Sequence, residues 1–332
     1  MQHPWRIGIV GLGFIGLRHA RLLSALPGVH VPAGCDVAPD RVRDRLAKAD
    51  LSDFHLYSSL TDMLANEDLD AVTICTASGS HMAPALQAID HGLNVIVEKP
   101  IEISTQRIDR MIEAADRMGV RLAGVFQNRY TDAARALKAA VDEGRFGRMA
   151  WAGALTPWYR DDQYYAAGGW RGTWQLDGGG AMMNQSIHAV DLLQWLAGPI
   201  RRVSAFWAKR IHPQIEVEDT LTASLQFAGG ACGSIVGTTA AYPGGNVRLE
   251  IGGEDGTAVL EDGLRKFAFR QARPDDETLL RTTGSGRSGG GAWAADIDEA
   301  LHVRSLQAVL WAWENGVDAD RPGDVPGRGG AG

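Results

Sequence analysis

The stretch that decides the fold of the first part of the chain is residues 5–16, WRIGIVGLGFIG. It opens with a β-branched apolar run, Arg6–Val10, which predicts a buried strand. Three glycines follow with the spacing G-x-G-x-x-G, and a helical pattern starts directly after them. This order of strand, glycine turn and helix is typical of a turn that binds the pyrophosphate of a dinucleotide.

Each glycine of this turn has a different predicted task. Gly11 permits the tight turn, Gly13 lets the backbone approach the pyrophosphate, and Gly16 allows the helix to pack closely on the strand. The N–H groups at the start of the helix, around Phe14 and Ile15, would then face the anion. Because the chain contains 41 glycines, the spacing alone also fits an ordinary strand–helix turn.

An acidic residue further along makes the turn more specific. Asp36 lies twenty positions after Gly16, at the end of the second predicted strand. A carboxylate there can accept hydrogen bonds from the ribose hydroxyls and repels a 2′-phosphate, which favours NAD over NADP. Two alternatives stay open, because Asp36 could instead cap the next helix and the nearby Arg41 could contact a 2′-phosphate.

Short apolar runs alternate with helical patterns up to about residue 127. Such alternation predicts βαβ units and a doubly wound parallel sheet of the α/β class, with ligands at the carboxyl ends of the strands. The predicted strands are Arg6–Val10, Val29–Asp36, Ala71–Cys75, Asn94–Val97 and Arg121–Phe126, and the helices are Ile15–Leu26, Pro39–Ala49, His81–His91 and Ser104–Met118. Residues 1–127 are therefore predicted to form a Rossmann domain that binds NAD(P).

The rhythm changes from residue 128 onward. Helices are predicted at Asp132–Glu143, about Gly180–Leu196 and about Trp293–Asn315, and strands at Arg148–Thr156, Arg202–Lys209, Thr220–Phe227, Cys232–Thr239, Val247–Gly252, Thr257–Glu261 and Lys266–Arg270. Successive strands without intervening helices indicate a large, mostly antiparallel open sheet. Residues 128–332 are predicted to form an α+β domain, with a Gly/Ser-rich loop at 284–291 and a Pro/Gly-rich tail.

Composition excludes two classes of partner. The 332-residue chain carries a formal net charge of −7, so it lacks the basic footprint that nucleic acid or an anionic membrane surface requires. No apolar run reaches the length of a membrane span, and no signal-peptide pattern precedes the first strand. The three cysteines form no C-x-x-C pair, so neither a disulfide framework nor a metal site is expected. We expect a cytoplasmic protein.

A charged pair ends the predicted strand Asn94–Val97. Glu98-Lys99-Pro100 stands at the sheet edge where ligands bind, and a lysine beside an apolar run is costly unless it has a task. One reading is an ion-paired strand end followed by a turn proline, without a catalytic role. The other makes Lys99 a general acid–base that exchanges a proton with a substrate hydroxyl, oriented by a cis peptide bond before Pro100.

Polar residues open a predicted helix after Gly178-Gly179-Gly180. Asn184, His188 and Asp191 have the spacing i, i+4, i+7, which places them on one face of a regular helix, and Gln185 follows the first of them. A single helical histidine is more often structural than catalytic. A triple glycine that lets a ligand approach the backbone makes this group a candidate substrate site.

Aromatic and arginine side chains are concentrated in the loop from Trp158 to Trp174. Rings that stack, together with the guanidinium groups of Arg160 and Arg171, suit a carbohydrate or a phosphate. The same composition is enriched in oligomer interfaces. Both readings can hold in one protein.

Taken together, these motifs resemble the Gfo/Idh/MocA oxidoreductase family. The match consists of Gly11–Gly16 with Asp36, Thr76-Ala77-Ser78 with His81, Glu98-Lys99-Pro100, Gln127-Asn128-Arg129, and Gly178–Gly180 leading to His188 and Asp191. The resemblance implies a Rossmann domain followed by a substrate-binding domain whose open sheet commonly forms oligomer contacts. It also implies NAD(P)-dependent dehydrogenation of a CH–OH group on a sugar, a cyclic polyol or a related compound.

The resemblance also implies individual roles. Lys99 is similar to the family's catalytic lysine, and His188 to its catalytic or substrate-binding histidine. We expect cofactor contacts from Thr76, Ser78, His81, Glu98, Lys99 and Gln127, and substrate contacts from Asn184, Gln185, Arg129, Arg160 and Arg171.

The sequence departs from the family at two places. Many polyol dehydrogenases of the family carry an aspartate four residues before the histidine, where this chain has Asn184, and a neutral amide cannot take a proton. The runs Trp170–Trp174 and Asn184–His188 are more similar to the branch that oxidises UDP-linked N-acetylated sugar acids at carbon 3. Family members also usually end in another helix, which the Pro/Gly-rich residues 326–332 cannot form.

The resulting hypothesis is reversible hydride transfer between NAD and a carbinol carbon of a sugar or sugar nucleotide, in a homo-oligomer such as a dimer or tetramer. Among enzymes, the alternative is an inositol or free-sugar dehydrogenase. Outside enzymes, the alternative is a non-catalytic NAD-binding regulator. Lys99 and His188 argue against a regulator, because a sensor has no use for a proton relay.

Overall fold

The computed structural model describes residues 4–47, 54–167, 169–283 and 299–317. These residues fall into two compact units, one formed by the chain up to residue 125 together with residues from 302 onward, the other by residues 126–301. No helix in the described ranges has the length and apolar character needed to cross a membrane. The predicted loop at 284–291 and the C-terminal tail lie outside the described residues.

The first unit is built on a sheet whose strands follow the predicted alternation. The strands are β1 (Trp5–Val10), β2 (Val29–His30), β3 (Ala33–Cys35), β4 (His55–Tyr57), β5 (Ala71–Ile74), β6 (Asn94–Val97) and β7 (Leu122–Gly124). Their order is β4-β3-β1-β5-β6-β7, with β2 paired to β1, and the described pairings are all parallel. The predicted doubly wound fold is confirmed.

Helices cover both faces of this sheet. They are α1 (Phe14–Ser24), α2 (Pro39–Ala47), α3 (Leu60–Asn66), α4 (Met82–Asp90) and α5 (Thr105–Met118). Leu23 of α1 packs with Ile7 and Ile9 of β1 on one face, whereas Ile89 of α4 and Met111 of α5 bury the other. Because helices connect these parallel strands, the carboxyl ends of β1, β5 and β6 lie along one edge of the sheet.

The second unit contains a mostly antiparallel sheet. Its strands are β8 (Met149–Pro157), β9 (Ile200–Ala208), β10 (Thr220–Phe227), β11 (Cys232–Thr238), β12 (Arg248–Gly253), β13 (Gly256–Leu260) and β14 (Leu264–Phe269). They run in the order β14-β13-β12-β8-β11-β10-β9. Within the described strands, β8 and β11 form the one parallel pair, so the predicted sheet type is confirmed.

Helices cover one face of this second sheet. They are α6 (Asp132–Asp142) and α8 (Ile187–Ala197), and the unit also contains α7 (Asp162–Ala166) and α9 (Pro274–Thr282). Leu137 of α6 and Leu193 of α8 pack with Ile235 and Ile251 of the sheet. The opposite face carries exposed apolar side chains, among them Phe206, which is 79% exposed.

Most of a last helix, α10 (Glu299–Asn315), belongs to the first unit. Leu306, Val309 and Leu310 of α10 are buried together with Ile7 and Ile9 of β1. The sequence-based division into 1–127 and 128–332 therefore differs from the structure at the C-terminal end, because the apolar face of α10 completes the core of the Rossmann sheet. The main boundary follows residue 125, two residues before the predicted one.

Two predicted elements are divided in the structure. The strand predicted at Val29–Asp36 consists of β2 and β3, which are separated at Pro32, a residue that has no N–H to give to a sheet. The helix predicted at about Gly180–Leu196 begins as a π-type turn, Ala181–Gln185, and continues as α8.

Candidate functional site

The glycine turn lies at the carboxyl end of β1, as predicted. Gly11 has a φ of +86°, a conformation that favours glycine. A Cβ on Gly16 would lie 1.8 Å from the carbonyl oxygen of Gly11, so α1 packs on the turn without room for a side chain. A Cβ on Gly13 would meet nothing within 4 Å. Gly11 is thus required by its backbone conformation and Gly16 by close packing, whereas Gly13 faces open space.

The start of α1 is arranged to accept an anion. Gly13 is its N-cap residue, and no side chain of the described residues caps the first N–H groups. Such groups carry the positive end of the helix dipole. Phe14, 55% exposed, and the half-buried Ile15 form the first positions of the helix. The space over Gly13 and the uncapped helix start together fit the pyrophosphate of a dinucleotide.

Asp36 follows β3 and is held by two backbone donors. Leu12 N donates to Oδ2 at 2.8 Å, and Ala38 N donates to Oδ1 at 2.8 Å. The carboxylate thus ties the glycine turn to the loop before α2, which is close to the capping role considered above. Each oxygen retains a further lone pair that can accept from a ribose hydroxyl. Arg41 lies exposed in the first turn of α2.

The loop after β5 carries Thr76, Ser78 and His81. Thr76 Oγ1 donates to the Ser80 carbonyl at 3.1 Å, and Ser78 is buried in a short 3-10 turn. His81 is 1% exposed, with Nδ1 3.0 Å from the Pro100 carbonyl oxygen and Nε2 3.1 Å from that of Thr76. A cofactor contact was expected from His81, but both its ring nitrogens face protein carbonyls. Its ring joins this loop to Glu98-Lys99-Pro100, the turn that we call the lysine turn.

Glu98-Lys99-Pro100 follows β6, and the Lys99–Pro100 peptide bond is cis, as predicted. Glu98 is 6% exposed; its Oε2 accepts from Lys99 N at 3.0 Å, and its Oε1 lies 2.9 Å from His19 Nε2. Burial alone would raise the pKa of Glu98, but the hydrogen bond and charge of His19 lower it. Burial would lower the pKa of His19, but Cys75 and Glu98 raise it. A buried carboxylate and imidazole, joined by this hydrogen bond, therefore adjoin the lysine.

In the second unit, His188 lies in the first turn of α8. Its Nε2 is 3.5 Å from Gln127 Nε2, and its ring packs edge-on against Phe126 with 6.2 Å between centroids. Gln127 is 7% exposed, and its Oε1 has no hydrogen-bond partner among the described residues. A buried amide oxygen without a partner costs about 1–3 kcal/mol. A ligand that donates to it would recover this free energy.

The polar residues predicted on one helix face point to different partners. Asn184, in the π-type turn, donates to Asp177, whereas Asp191 accepts two bonds from Arg129, whose Nε lies 2.8 Å away. Asn184 lies in the π-type turn, whereas His188 and Asp191 lie in α8, and the common face of the three side chains stays a prediction. The guanidinium fork of Arg129 forms a bidentate ion pair with Asp191, and its expected contact with the substrate stays a prediction.

The triple glycine serves the protein's own backbone. A Cβ on Gly180 would lie 1.7 Å from the carbonyl oxygen of Glu218. The Glu218 carboxylate, 5% exposed, accepts from Gly180 N and Met182 N at 2.9 Å each and so caps the π-type turn. The expected close approach of a ligand at Gly180 is therefore replaced by the approach of the Glu218 segment.

Alternating rings and guanidinium groups form an aromatic–arginine ladder that consists of Trp158, Arg160, Tyr164, Arg171 and Trp170. The guanidinium carbon of Arg160 lies 5.0 Å from the ring centroid of Trp158 and 5.1 Å from that of Tyr164. That of Arg171 lies 4.7 Å from Tyr164 and 5.1 Å from Trp170. Arg160 is 6% exposed, and Arg171 is half-buried. Stacking thus fixes two permanent positive charges in one segment.

Gln185 connects this ladder to Asn184. Its Oε1 accepts from Arg160 Nη2 at 3.0 Å, and its Nε2 donates to Tyr164 Oη at 2.6 Å and to Asn184 Oδ1 at 3.2 Å. Gln185 and Asn184 are 7% and 9% exposed. Four predicted substrate residues, Asn184, Gln185, Arg160 and Arg171, therefore belong to one connected cluster in the second unit.

Sequence reasoning missed several buried polar groups. His19 and His302 approach Glu98 in the first unit, and Asp177 and Glu218 organise the π-type turn in the second. His19 could have been noticed three residues after Gly16, on the face of α1 that packs on the sheet. The partners of Asp177 and Glu218 carry no local sequence signal.

Comparison with known proteins gives one family for both units. Residues 5–126 match the profile of the oxidoreductase family with an NAD-binding Rossmann fold, and residues 134–259 match that of the GFO/IDH/MocA C-terminal domain. The inositol 2-dehydrogenase of Burkholderia cenocepacia is 31% identical over 275 residues, which cover 80% of this chain and 78% of that protein. The myo-inositol 2-dehydrogenase of Thermotoga maritima is 27% identical over 270 residues, covering 79% and 76%.

A solved structure gives a match over nearly the whole chain. The WlbA dehydrogenase from Bordetella pertussis, determined in complex with NADH and UDP-GlcNAcA, superposes with a TM-score of 0.81 at 32% identity. The superposition covers 96% of this chain and 97% of that one.

Proposed function

Because this chain belongs to the Gfo/Idh/MocA oxidoreductase family and is an NAD-dependent dehydrogenase acting on CH–OH groups of sugar-type compounds, we propose that its substrate is a sugar nucleotide with an acidic sugar, oxidised at carbon 3. The observation that carries this proposal is the aromatic–arginine ladder and its connection through Gln185 to Asn184. The similarity to WlbA, which binds UDP-GlcNAcA, supports the same substrate class.

The ladder fits an anionic ligand better than a neutral polyol. Guanidinium groups bind carboxylates and phosphates through paired hydrogen bonds, and flat rings stack on a sugar or a base. Arg160 is buried within the ladder, so the half-buried Arg171 is the cation that the substrate would reach first. An uncharged inositol would have no group to neutralise either charge.

The contacts of Asn184 support a role in orienting the substrate and not in transferring a proton. Its amide donates to Asp177 and accepts from Gln185, so its orientation is fixed at both ends. A fixed neutral amide can align a substrate hydroxyl but cannot take its proton. We therefore assign the proton to Lys99, as the family resemblance implies.

The remaining roles follow from what each group can donate or accept. Bound NAD supplies the hydride acceptor for the carbinol carbon. The glycine turn and the start of α1 would hold its pyrophosphate and Asp36 its ribose, while the Lys99 amine takes the proton that the hydroxyl loses. His188 exchanges a hydrogen bond with a substrate oxygen and orients it. Correct positioning contributes roughly 7–11 kcal/mol at best to lowering the barrier.

Replacing Lys99 by Met tests the proton assignment. The long apolar side chain preserves much of the volume but has no amine, so turnover should fall to background while NADH binding, followed by fluorescence titration, stays within about twofold. Undiminished turnover in Lys99→Met would contradict the proposed mechanism.

A substrate panel tests the proposed class. NADH formation at 340 nm should be fastest with UDP-linked sugar acids and at background with inositol and free sugars. Arg171→Ala should raise KM for the sugar nucleotide with little change in KM for NAD. The second candidate, an inositol dehydrogenase, is favoured by the 31% identity to the Burkholderia cenocepacia enzyme; turnover of inositol alone would select it.

We also propose that the protein is a homo-oligomer whose subunits contact one another through the exposed face of the second sheet. Phe206, Trp151 and Leu155 are 79%, 40% and 38% exposed on this face, and apolar surface of this kind marks protein interfaces. Light scattering should give a mass above that of one chain, and Phe206→Glu should lower it. A monomeric wild-type protein would contradict the proposal. The cytoplasmic location stays a prediction from the sequence.

A further inference from the structure

A buried cluster lies beside the lysine turn of the first unit. It consists of His19 of α1, Glu98 after β6 and His302 of α10, which are 0%, 6% and 1% exposed. One nitrogen or oxygen from each of the three side chains lies within 4.8 Å of those of the other two. We call these residues the His–Glu–His cluster.

The two histidines converge on the same oxygen of Glu98. His19 Nε2 lies 2.9 Å and His302 Nε2 lies 3.9 Å from Glu98 Oε1. The ring of His19 is fixed from its other side, because Nδ1 lies 3.0 Å from Thr73 Oγ1. The second oxygen, Oε2, accepts from Lys99 N at 3.0 Å. One carboxylate thus connects α1, α10 and the backbone of Lys99.

Electrostatics keeps this carboxylate charged although it is buried. Burial raises the pKa of Glu98, but His19, His302 and Lys99 together outweigh that effect and lower the pKa. A charged carboxylate is a stronger acceptor than a protonated one for the Lys99 N–H. The histidines therefore affect how firmly the backbone of Lys99 is held.

We propose that His19 and His302 are positioning residues that fix the Glu98 carboxylate, and through it the Lys99 backbone, in the geometry used for proton transfer. The inference rests on the proposed role of Lys99. His302 is the more informative of the two, because it comes from α10, far along the chain from the lysine turn. The last helix thereby takes part in shaping that turn as well as in covering the sheet.

The same three side chains have the composition of a His₂Glu zinc site. The contacts favour the hydrogen-bonded arrangement, since His19 Nε2 and Glu98 Oε1 are already at hydrogen-bond distance. Metal content of the purified enzyme separates the two arrangements. One equivalent of zinc, with kcat lost on chelation and restored by zinc, would overturn the positioning inference.

Two variants of His302 provide the kinetic test. His302→Leu removes both ring nitrogens at similar volume, and His302→Gln returns a polar N–H group to the position beside Glu98. A displaced lysine should lower kcat roughly 10–100-fold in His302→Leu, while the NADH dissociation constant and KM stay within about threefold of wild type. His302→Gln should recover most of the lost kcat, which a purely structural role would not predict. Ser305→Ala, at another buried position of α10, is the matched control and should keep wild-type kcat.

The outcomes separate this inference from the proposed function. If Lys99→Met is inactive but both His302 variants keep wild-type kcat, the positioning inference is wrong and the role of Lys99 stands. Full activity of Lys99→Met removes the proposed proton-transfer role of Lys99, on which this inference rests, and leaves the substrate class to the substrate panel. If His302→Leu does not fold, Glu98→Asp carries the test, because the shorter side chain withdraws the carboxylate from Lys99 N; wild-type kcat in Glu98→Asp would overturn the inference.

Discussion

Replacing Gly13 and Gly16 by alanine, one at a time, should separate an effect on cofactor affinity from an effect on stability. The two glycines belong to one turn and differ by three positions, yet their surroundings are opposite. A Cβ on Gly13 meets nothing within 4 Å, whereas a Cβ on Gly16 would lie 1.8 Å from the backbone oxygen of Gly11. The same added methyl group therefore probes open space in one variant and packed protein in the other.

The expected magnitudes follow from these distances. Gly13 has φ −68° and ψ −166°, which alanine adopts freely, so Gly13→Ala should leave the free energy of unfolding unchanged or raise it by about 0.4–1 kcal/mol. At Gly16 the start of α1 must move by roughly 1 Å to relieve the overlap with a backbone atom. Overpacking of this kind costs about 1–3 kcal/mol, and the better helix propensity of alanine offsets about 1 kcal/mol of it.

Urea unfolding and NADH fluorescence titration measure the two effects on the same samples. Gly13→Ala should be as stable as wild type but bind NADH at least about tenfold more weakly, or about 1.4 kcal/mol, since its methyl group occupies the approach of the pyrophosphate. Gly16→Ala should lose both stability and affinity. Wild-type NADH affinity in Gly13→Ala would refute the assignment of the open space to the cofactor.

Three further predictions concern stability. Arg129→Lys should lower the free energy of urea unfolding by about 2 kcal/mol, because a lysine cannot form the bidentate bond to Asp191; no change would show the pair to be unimportant. The hydrogen bond from Arg145 lowers the pKa of Asp276. The contribution of this pair to the free energy of unfolding should therefore be present above pH about 4 and be lost on acidification. The stability difference between wild type and Asp276→Asn should accordingly narrow below that pH, and a constant difference would contradict this. Tyr165→Phe should cost about 1 kcal/mol by removing the buried hydroxyl contact with Thr239, with thermal unfolding as the measurement.

Local sequence signals were sufficient for most strands of the first unit's sheet. The strand Asn94–Val97 was predicted at its observed bounds, since Asn94 and three β-branched apolar residues stand between a turn and a charged pair. The glycine turn was equally predictable, because its G-x-G-x-x-G spacing follows a strand and precedes a helix. The strand β4 and the helix α3 were missed, although Ser59 caps α3 by accepting from Asp62 N, a spacing visible in the sequence.

Long-range contacts account for what could not be predicted. Periodicity over residues 180–196 fits one helix, but the Glu218 carboxylate caps a π-type turn there from a distant segment. The pairing of Arg129 with Asp191 of α8 likewise has no signal in the sequence. The sequence gives no sign of a contact between His302 and Glu98, because residues 126–301 separate the two along the chain. Spacing along the chain predicts which residues are neighbours within one helix or strand. It does not predict which residues of another element they contact.

The division of the first unit between the two ends of the chain has a consequence for synthesis. The Rossmann strands leave the ribosome first, but their core lacks Leu306 and Val309 until α10 follows. Residues 126–301 are contiguous and can complete their own core in the meantime, which takes roughly 10–35 s at 5–20 residues per second. The part of the enzyme that is made first is thus the part that finishes folding last, and nascent chains halted before α10 should expose the apolar surface that this helix covers.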